Sequence, residues 1–314
     1  MKGFDKKYKD FPDYILGITN EIWEQRGIEK LYDYYSKDIP VRSPDALVIG
    51  NQNVIDATRA TLKEFPDREL LGEDVIWSGS PEEGMLSSHR ILSTATHNGK
   101  GVFGNATGTK LVYRVIADCH AINNQINDEW LVRDQGSIVK QLGWEPKQYA
   151  EELIKKEKKL NSIIVPFTDK IDVEGPYKGN GNDNHWGINY ESVLNDIMGL
   201  KYSSIENNYD RAVHTEYAGG ITGHSFKAVK KFWSDLRTAF PNSKFQIHHR
   251  IGREDPMLSP RAAIRWSLSG KHEGNGIFGK PSNAEVYILG ISHVEFGPWG
   301  IRKEYSLYDE VAVW

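Results

Sequence analysis

The stretch HNGKGVFG at residues 97–104 returns as HEGNGIFG at residues 272–279. A shift of 175 positions aligns residues 62–139 with residues 237–314 without a gap, and 14 of the 78 aligned positions are identical. Glycines and a proline are among them. Because these residue types fix backbone turns, their recurrence in one register indicates that the same local fold occurs twice. We therefore interpret the chain as two copies of one domain joined in tandem.

The repeat also sets the expected domain boundaries. Upstream of the aligned region the register slips by one residue, but residues 31–35 still resemble residues 204–209. We predict a first domain at 1–143, a connector at 144–189 and a second domain at 190–314. Within the connector, Pro146 opens an amphipathic helical pattern that runs to Leu160. An apolar run at 163–166 and a turn-rich run at 175–182 follow, and we expect this segment to pack on the domains.

Each copy begins with helical patterns and continues with strand patterns. The predicted helices cover residues 14–35, 51–65, 192–209 and 225–240. The predicted strands cover residues 85–96, 101–103, 111–122 and 128–139, then 262–269, 277–278, 284–296 and 302–313. Helices followed by strands predict an α+β fold, in which a curved antiparallel sheet wraps over the N-terminal helices. Such a cone has a packed end and an open end suited to a pocket.

Composition narrows the possible partners and cofactors. A net charge of −4 argues against nucleic acid, which requires a basic surface. No apolar run approaches the roughly 18 residues of a membrane span. Cys119 is the only cysteine, and the N-terminus lacks the pattern of a signal peptide, so we expect a cytoplasmic protein. Neighbouring His248 and His249 would point to opposite faces of a strand, so no metal cofactor is expected. The glycines at 101–108 lack a P-loop ending, so no nucleotide cofactor is expected.

The two motifs resemble a known family. Residues 90–104 and the run Glu129-Trp130-Leu131-Val132-Arg133-Asp134 resemble the SnoaL-like polyketide cyclases of the NTF2-like superfamily. This resemblance implies two tandem cone-shaped domains and an intramolecular aldol closure that needs no cofactor. In these cyclases the Asp that ends the second motif is the general acid/base, a role that would fall on Asp134 and Asp309. A pocket histidine precedes that Asp by fourteen residues, which matches His120, whereas the second copy has Glu295 there.

Strand periodicity then groups the candidate residues. Trp130, Val132 and Asp134 would share one face of a strand, as would Asp118 and His120, with Cys119 on the opposite face. Burial on an aromatic face raises the pKa of a carboxyl group towards values useful for proton transfer. The predicted catalytic residues are Asp134, His120, Asp309 and His293. The predicted pocket residues are Trp130, Asp118, Tyr305, Glu295, Arg90, Arg265, His97 and His272.

Each assignment has a structural alternative. An Asp at a strand end commonly forms a turn, and a histidine next to a glycine turn commonly makes a structural hydrogen bond. Arg90 and Arg265 would in that case be buried partners of Glu129 and Glu304. Trp130 would pack in the core, as would Tyr305 in the second copy.

Two functions remain open from the sequence. The first is a cofactor-independent acid/base enzyme of the cyclase, isomerase or lyase type, acting on a small carbonyl-containing molecule. The alternative is a non-catalytic protein that binds a small ligand or serves as a scaffold. One copy catalytic and the other structural is a third possibility, and the first domain is then the better candidate for the active site. We also expect pairing through the sheets, either as an internal pseudo-dimer or as a homodimer.

Overall fold

A computed structural model describes residues 1–160 and 165–314, so residues 163 and 164 of the predicted apolar run lie outside the described part. Two six-stranded sheets account for the strands, and each sheet carries its own helices. The predicted α+β fold is confirmed, with two tandem domains that each consist of one sheet and its own helices.

The first domain contains four helices and six strands. Its elements in chain order are α1 (Phe11–Thr19), α2 (Leu31–Tyr34), β1 (Pro40–Ser43), β2 (Ala46–Ile49), α3 (Asn51–Glu64), β3 (Glu69–Ser80), β4 (Gly84–Thr96), β5 (Lys110–Ile122), β6 (Gln125–Arg133) and α4 (Gln135–Gln141). The sheet order is β2-β1-β6-β5-β4-β3. Only the β1–β6 pair is parallel.

The rest of the chain repeats this plan after a linking helix. Its elements are α5 (Pro146–Leu160), α6 (His185–Met198), α7 (Ser203–Asn208), β7 (Tyr209–Tyr217), β8 (Ile221–His224), α8 (Ser225–Ala239), β9 (Lys244–Arg253), β10 (Arg261–Lys271), β11 (Glu285–Gly297), β12 (Gly300–Tyr308) and α9 (Glu310–Val313). The sheet order is β8-β7-β12-β11-β10-β9, with β7 parallel to β12.

Several predicted elements are confirmed. Helices α3 and α8 match the predictions for 51–65 and 225–240, and each ends at a phenylalanine followed by proline. Proline cannot continue a helix, which explains the common end point. Helix α5 has the predicted bounds. The connector also packs as expected, because Phe167 is buried between the two sheets.

Other predicted elements are wrong in detail. The single helix expected at 14–35 is interrupted by a π-helical turn (Asn20–Glu24) and a 3₁₀ turn (Ile28–Lys30). The last strand of each copy stops early, at Arg133 and Tyr308, and the following aspartate caps a short helix. The strands expected at 101–103 and 277–278 are tight turns closed by one bridge each. Strands β1, β2 and β3 and their counterparts β7, β8 and β9 were not predicted.

Each sheet has two buried faces. The concave face wraps over the helices of its own domain, and the convex face packs on the convex face of the other sheet. This contact buries Ile116 and Val132 of the first domain against Leu289, Ile291 and Leu307 of the second. A second patch joins Ile76 and Leu86 to Ile251 and Ala263. Because successive side chains of a strand point to opposite faces, one set lines the cone and the other set packs in the contact between the domains.

None of the helices in the described ranges is long and apolar enough to cross a membrane. The predicted domain boundaries at 143 and 189 stay predictions, as does pairing with a second chain.

Candidate functional site

A cavity of about 650 Å³ occupies the cone of the first domain. Its floor is the concave face of the sheet, and α1 and α3 form the opposite wall. The volume is in the range of pockets that hold small organic molecules. Most of its wall is apolar, and the floor residues are His89, Ile91, Val115, Ala117, Cys119, Glu129, Leu131 and Arg133.

Glu129 is a buried carboxyl group in the floor of this cavity, which Glu64 and Asp309 also line. It lies on β6 opposite Cys119 of β5 and is 6% exposed. Its carboxyl group is hydrogen-bonded to the hydroxyl of Tyr35, which also lines the cavity. Burial raises the pKa of Glu129 to about 7; the hydrogen bond from Tyr35 opposes this shift, and the nearby charge of Asp128 adds to it. The group can therefore gain or lose a proton near neutral pH.

The same position in the second domain is Glu304, and its surroundings are different. Four side chains donate hydrogen bonds to its carboxylate: Tyr190 (2.7 Å), Tyr209 (3.0 Å), Tyr217 (2.5 Å) and the indole of Trp233 (3.3 Å). Burial still raises its pKa, and these donors act against that shift. With four donors on its two oxygens and no exposed surface, Glu304 is a structural carboxylate.

Side-chain size explains why one cone is open and the other is filled. Thr58 occupies in α3 the place of Trp233 in α8, counted back from the phenylalanine that follows each helix. Ile91 of β4 corresponds in the same way to Trp266 of β10. Both tryptophans are fully buried in the second core. The smaller residues of the first copy leave the corresponding space empty.

Two further polar side chains are set in the cavity floor. His89 is buried, and burial together with the charge of Arg90 lowers its pKa to about 3, so its imidazole is neutral. Cys119 is buried, and burial raises the pKa of its thiol well above the usual value, which keeps the thiol protonated. Cys119 was expected to point away from the pocket; its place in the floor corrects that expectation.

Asp309 reaches the mouth of this cavity from the second domain. It caps α9 by accepting from the amides of Val311 (2.8 Å) and Ala312 (3.2 Å). Burial raises its pKa well above the usual value, and the charge of Asp45 in the β1–β2 turn adds to the shift. Among the predicted site residues, only Asp309 lines the cavity.

Asp134 is the equivalent residue of the first copy, and its carboxylate joins the first domain to the second through hydrogen bonds. It accepts hydrogen bonds from the amides of Ser137 (2.9 Å), Gly219 (2.8 Å) and Gly220 (2.9 Å). Burial raises its pKa to about 6 against these three donors. Both of its oxygens are engaged by backbone amides of α4 and of the β7–β8 turn. Its predicted catalytic role stays a prediction.

Asp118, Trp130 and Arg90 share the faces of their strands that pack against the second sheet, so they lie outside the cavity. Asp118 binds Arg265 of the other domain at 2.9 Å, and the same guanidinium stacks on Trp130 at 3.7 Å. In the equivalent arrangement, Arg90 stacks on Tyr305 of the second domain at 3.7 Å, and it binds Glu73 of its own domain at 3.0 Å. The alternative that paired the two arginines with Glu129 and Glu304 is therefore wrong.

His120, His293 and Glu295 also lie outside the cavity. His120 contacts Asn127 and the ring of Tyr177. His293 is fully buried between the sheets, 2.7 Å from the Ser88 hydroxyl. Glu295 is 3.2 Å from Lys303.

His97 lies in the glycine turn that follows β4. Its two ring nitrogens are 3.2 Å from Glu64 and 3.0 Å from Thr107. His272 makes the matching contact with Ser282 at 3.2 Å. These contacts fit the structural alternative for both histidines. In the part of the chain that the structure describes, no three His, Cys, Asp or Glu side chains converge as metal ligands.

Comparisons with known proteins concern the fold. No family model and no curated protein matches the chain. Among solved structures, IdmH from Streptomyces antibioticus, described as a proposed polyketide cyclase, is 17% identical, covers 42% of this chain and 98% of its own, and has a TM-score of 0.37. AclR from Streptomyces galilaeus, described as a proposed hydroxylase, is 21% identical, covers 41% of this chain and 92% of its own, and also has a TM-score of 0.37. A SnoaL-like polyketide cyclase from Agrobacterium tumefaciens is 17% identical, covers 40% of this chain and 91% of its own, and has a TM-score of 0.32. At these identities and TM-scores the likenesses carry no information about activity.

Sequence reasoning missed Glu129 and Tyr35 as cavity residues. Glu129 was considered only as an ion-pair partner of Arg90. A signal for it was present, because Glu129 and Glu304 are identical across the repeat and Tyr35 and Tyr209 hold matching places before the same strand pair.

Proposed function

We propose that the chain is an acid/base enzyme whose active site is the cavity of the first domain, with Glu129 as the group that moves the proton. The observation that carries this proposal is a buried carboxyl group with a pKa of about 7, set in the wall of an open cavity. A general acid/base is most effective when its pKa lies near the operating pH. The second domain serves as a structural partner.

The chemistry suits a small carbonyl compound. Ionised Glu129 takes a proton from the carbon next to a carbonyl, and the C–H electron pair moves into the enolate. Returning that proton to a different atom completes an isomerisation. In a ring closure, the enolate carbon attacks a second carbonyl of the same molecule, and the resulting alkoxide takes the proton back from Glu129. Protons and electrons balance in both cases, in keeping with the cyclase or isomerase class.

Hydrogen–deuterium exchange tests this proposal without a known substrate. Small ketones, β-keto esters and aryl ketones are incubated with the protein in D₂O, and the loss of α-proton signals is followed by NMR. We expect exchange with the wild-type protein and a decrease of at least about 100-fold in Glu129→Gln. Glu304→Gln is the matched control, because it makes the same change in the filled cone and should keep the exchange rate.

Three outcomes count against the proposal. Equal exchange in the wild-type protein and Glu129→Gln would exclude Glu129 as the base. Loss of exchange in Asp309→Asn or Asp134→Asn, with exchange kept in Glu129→Gln, would return the role to the aspartates predicted from the sequence. No exchange with any compound would favour the alternative, a protein that only binds a small ligand.

A further inference from the structure

Two arginines line the cavity of the first domain without a carboxylate partner. Arg68 immediately precedes β3 and is 7% exposed, and Arg133, the last residue of β6, is half-buried. Both belong to the cavity wall. Within residues 1–160 and 165–314, neither forms an ion pair, and the Nε atom of each is buried without a hydrogen-bond partner.

Other buried arginines in this chain are paired. Arg42 binds Asp128, Arg90 binds Glu73 and Arg265 binds Asp118. Burying a cation away from water is costly unless an anion or several acceptors compensate for it. The two cavity arginines depart from this pattern at the place where a ligand can enter. Their missing partner is therefore best supplied by the ligand.

The local electrostatics agree with an excess of positive charge. Tyr113 lies next to both arginines, and its hydroxyl is hydrogen-bonded to Arg68. Burial on its own would raise the pKa of Tyr113, but the charges of Arg68 and Arg133, together with hydrogen bonds to Ser93 and Arg68, outweigh burial and lower it. The pKa of Arg68 is itself lowered, by burial first and then by the charges of Arg133 and Arg26. An anion placed here would relieve both effects.

The arginines stand at a useful distance from Glu129. Glu129, Leu131 and Arg133 alternate along β6 and face the same cavity. Four residues of strand correspond to roughly 13 Å between the Cα atoms of Glu129 and Arg133. A molecule of that length can place one end at the arginines and the other at the carboxyl group.

We propose that the cavity of the first domain takes an organic anion, whose carboxylate is held by Arg68 and Arg133 while its carbon skeleton extends over the apolar wall towards Glu129. This inference rests on the proposed function for the position of the reactive end. Guanidinium groups match the planar geometry of carboxylates through paired N–H donors. The filled second cone has Ser243 and Tyr308 at the positions of the two arginines, so it lacks both the space and the charge.

A pair of matched probes tests the charge requirement. Binding of 2-naphthoate and of its neutral amide, 2-naphthamide, is measured by titration calorimetry on the full chain. Hydrogen bonds between charged groups correspond to roughly a 10- to 100-fold difference in affinity, so we expect naphthoate to bind more tightly by that factor. Arg133→Gln should abolish the preference, Arg133→Lys should keep part of it, and Arg302→Gln should leave it unchanged, because Arg302 is exposed outside the cavity.

The result also separates this inference from the proposed catalysis. Glu129→Gln should retain the preference for naphthoate even though it removes the proton acceptor. Equal affinity for acid and amide, no binding of the acid at millimolar concentrations, or a preference that survives in Arg133→Gln would overturn the anion site. Loss of exchange activity in Glu129→Gln with no preference for the acid would leave the proposed function standing and the anion site refuted.

Discussion

Replacing Glu129 by Gln should stabilise the protein at neutral and higher pH, although it removes the proposed catalytic group. The pKa of Glu129 is about 7 in the folded protein, against 4.5 for an ordinary Glu. The folded chain therefore holds this proton more tightly than the unfolded chain does. Below pH 4.5 the carboxyl group is protonated in both states. As the pH rises to 7, the unfolded chain releases the proton first, which favours unfolding.

The magnitude follows from the size of the shift. One pKa unit corresponds to about 1.4 kcal/mol, so the shift of Glu129 removes about 3 kcal/mol of stability between pH 4.5 and pH 7. The shift can be converted in this way because Glu129 is fully buried rather than screened by solvent. Gln has no proton to release in this range. The free energy of unfolding of the wild-type protein, minus that of Glu129→Gln, should therefore fall by about 3 kcal/mol over this range.

Urea unfolding of both proteins, followed by tryptophan fluorescence from pH 5 to about 8.5, measures this difference. Other buried carboxyl groups with raised pKa values, such as Asp134, are present in both proteins and cancel. Glu83→Gln, at an exposed position, controls for the general effect of removing one negative charge. A difference that stays constant with pH would show that Glu129 titrates as an ordinary Glu. It would then have no special capacity to move protons at neutral pH, and the catalytic reasoning would fail with it.

Two further predictions concern the cavity and the contact between the sheets. Thr58→Trp should fill the first cone as Trp233 fills the second. The variant should no longer bind 2-naphthoate, and its melting temperature should not be lower than that of the wild-type protein. Naphthoate binding as tight as in the wild-type protein would contradict the argument from side-chain size. Asp118→Asn should lower the free energy of unfolding by about 3–5 kcal/mol, because it leaves the Arg265 cation buried without its charge partner. Urea unfolding measures this loss, and Asp118→Leu combined with Arg265→Met should recover most of it.

The fold was predictable because its signals are local. The glycine turns at 97–104 and 272–279 and the prolines after α3 and α8 fix chain reversals whatever surrounds them. The end of β6 was harder to place. Residues 128–139 are compatible with a strand by composition, and Asp134 at the break contacts amides of Gly219 and Gly220 in the other domain as well as the local amide of Ser137.

The face of each strand could not be read from the sequence. On β5, Val115, Ala117 and Cys119 alternate with Ile116 and Asp118, and every one of these residues is buried. Alternation reveals the pocket side only when the other side is in water. Here both sides are covered, and the polar side faces a second sheet whose Arg265 neutralises Asp118. On β5 the polar side therefore marked the contact between domains, and the pocket lay on the apolar side.

This arrangement explains why the two copies agree at some positions and differ at others. Arg90 stacks on Tyr305 and Arg265 on Trp130, so each copy supplies the partner of the other and a change in one disturbs both. Among the described residues that line the first cone, Asp309 alone comes from the second copy, so most of that lining can change without disturbing the other domain.

The second cone contributes stability through packed tryptophans and a fully hydrogen-bonded Glu304. The first cone lacks these contributions, since it keeps an empty cavity, a carboxyl group with a raised pKa and two arginines that have no carboxylate partner within the described ranges. Filling the first cone in the same way would give a more stable chain with no site for a ligand. The first cone is therefore the less stably packed of the two, and this is the physical reason to look for the protein's function there.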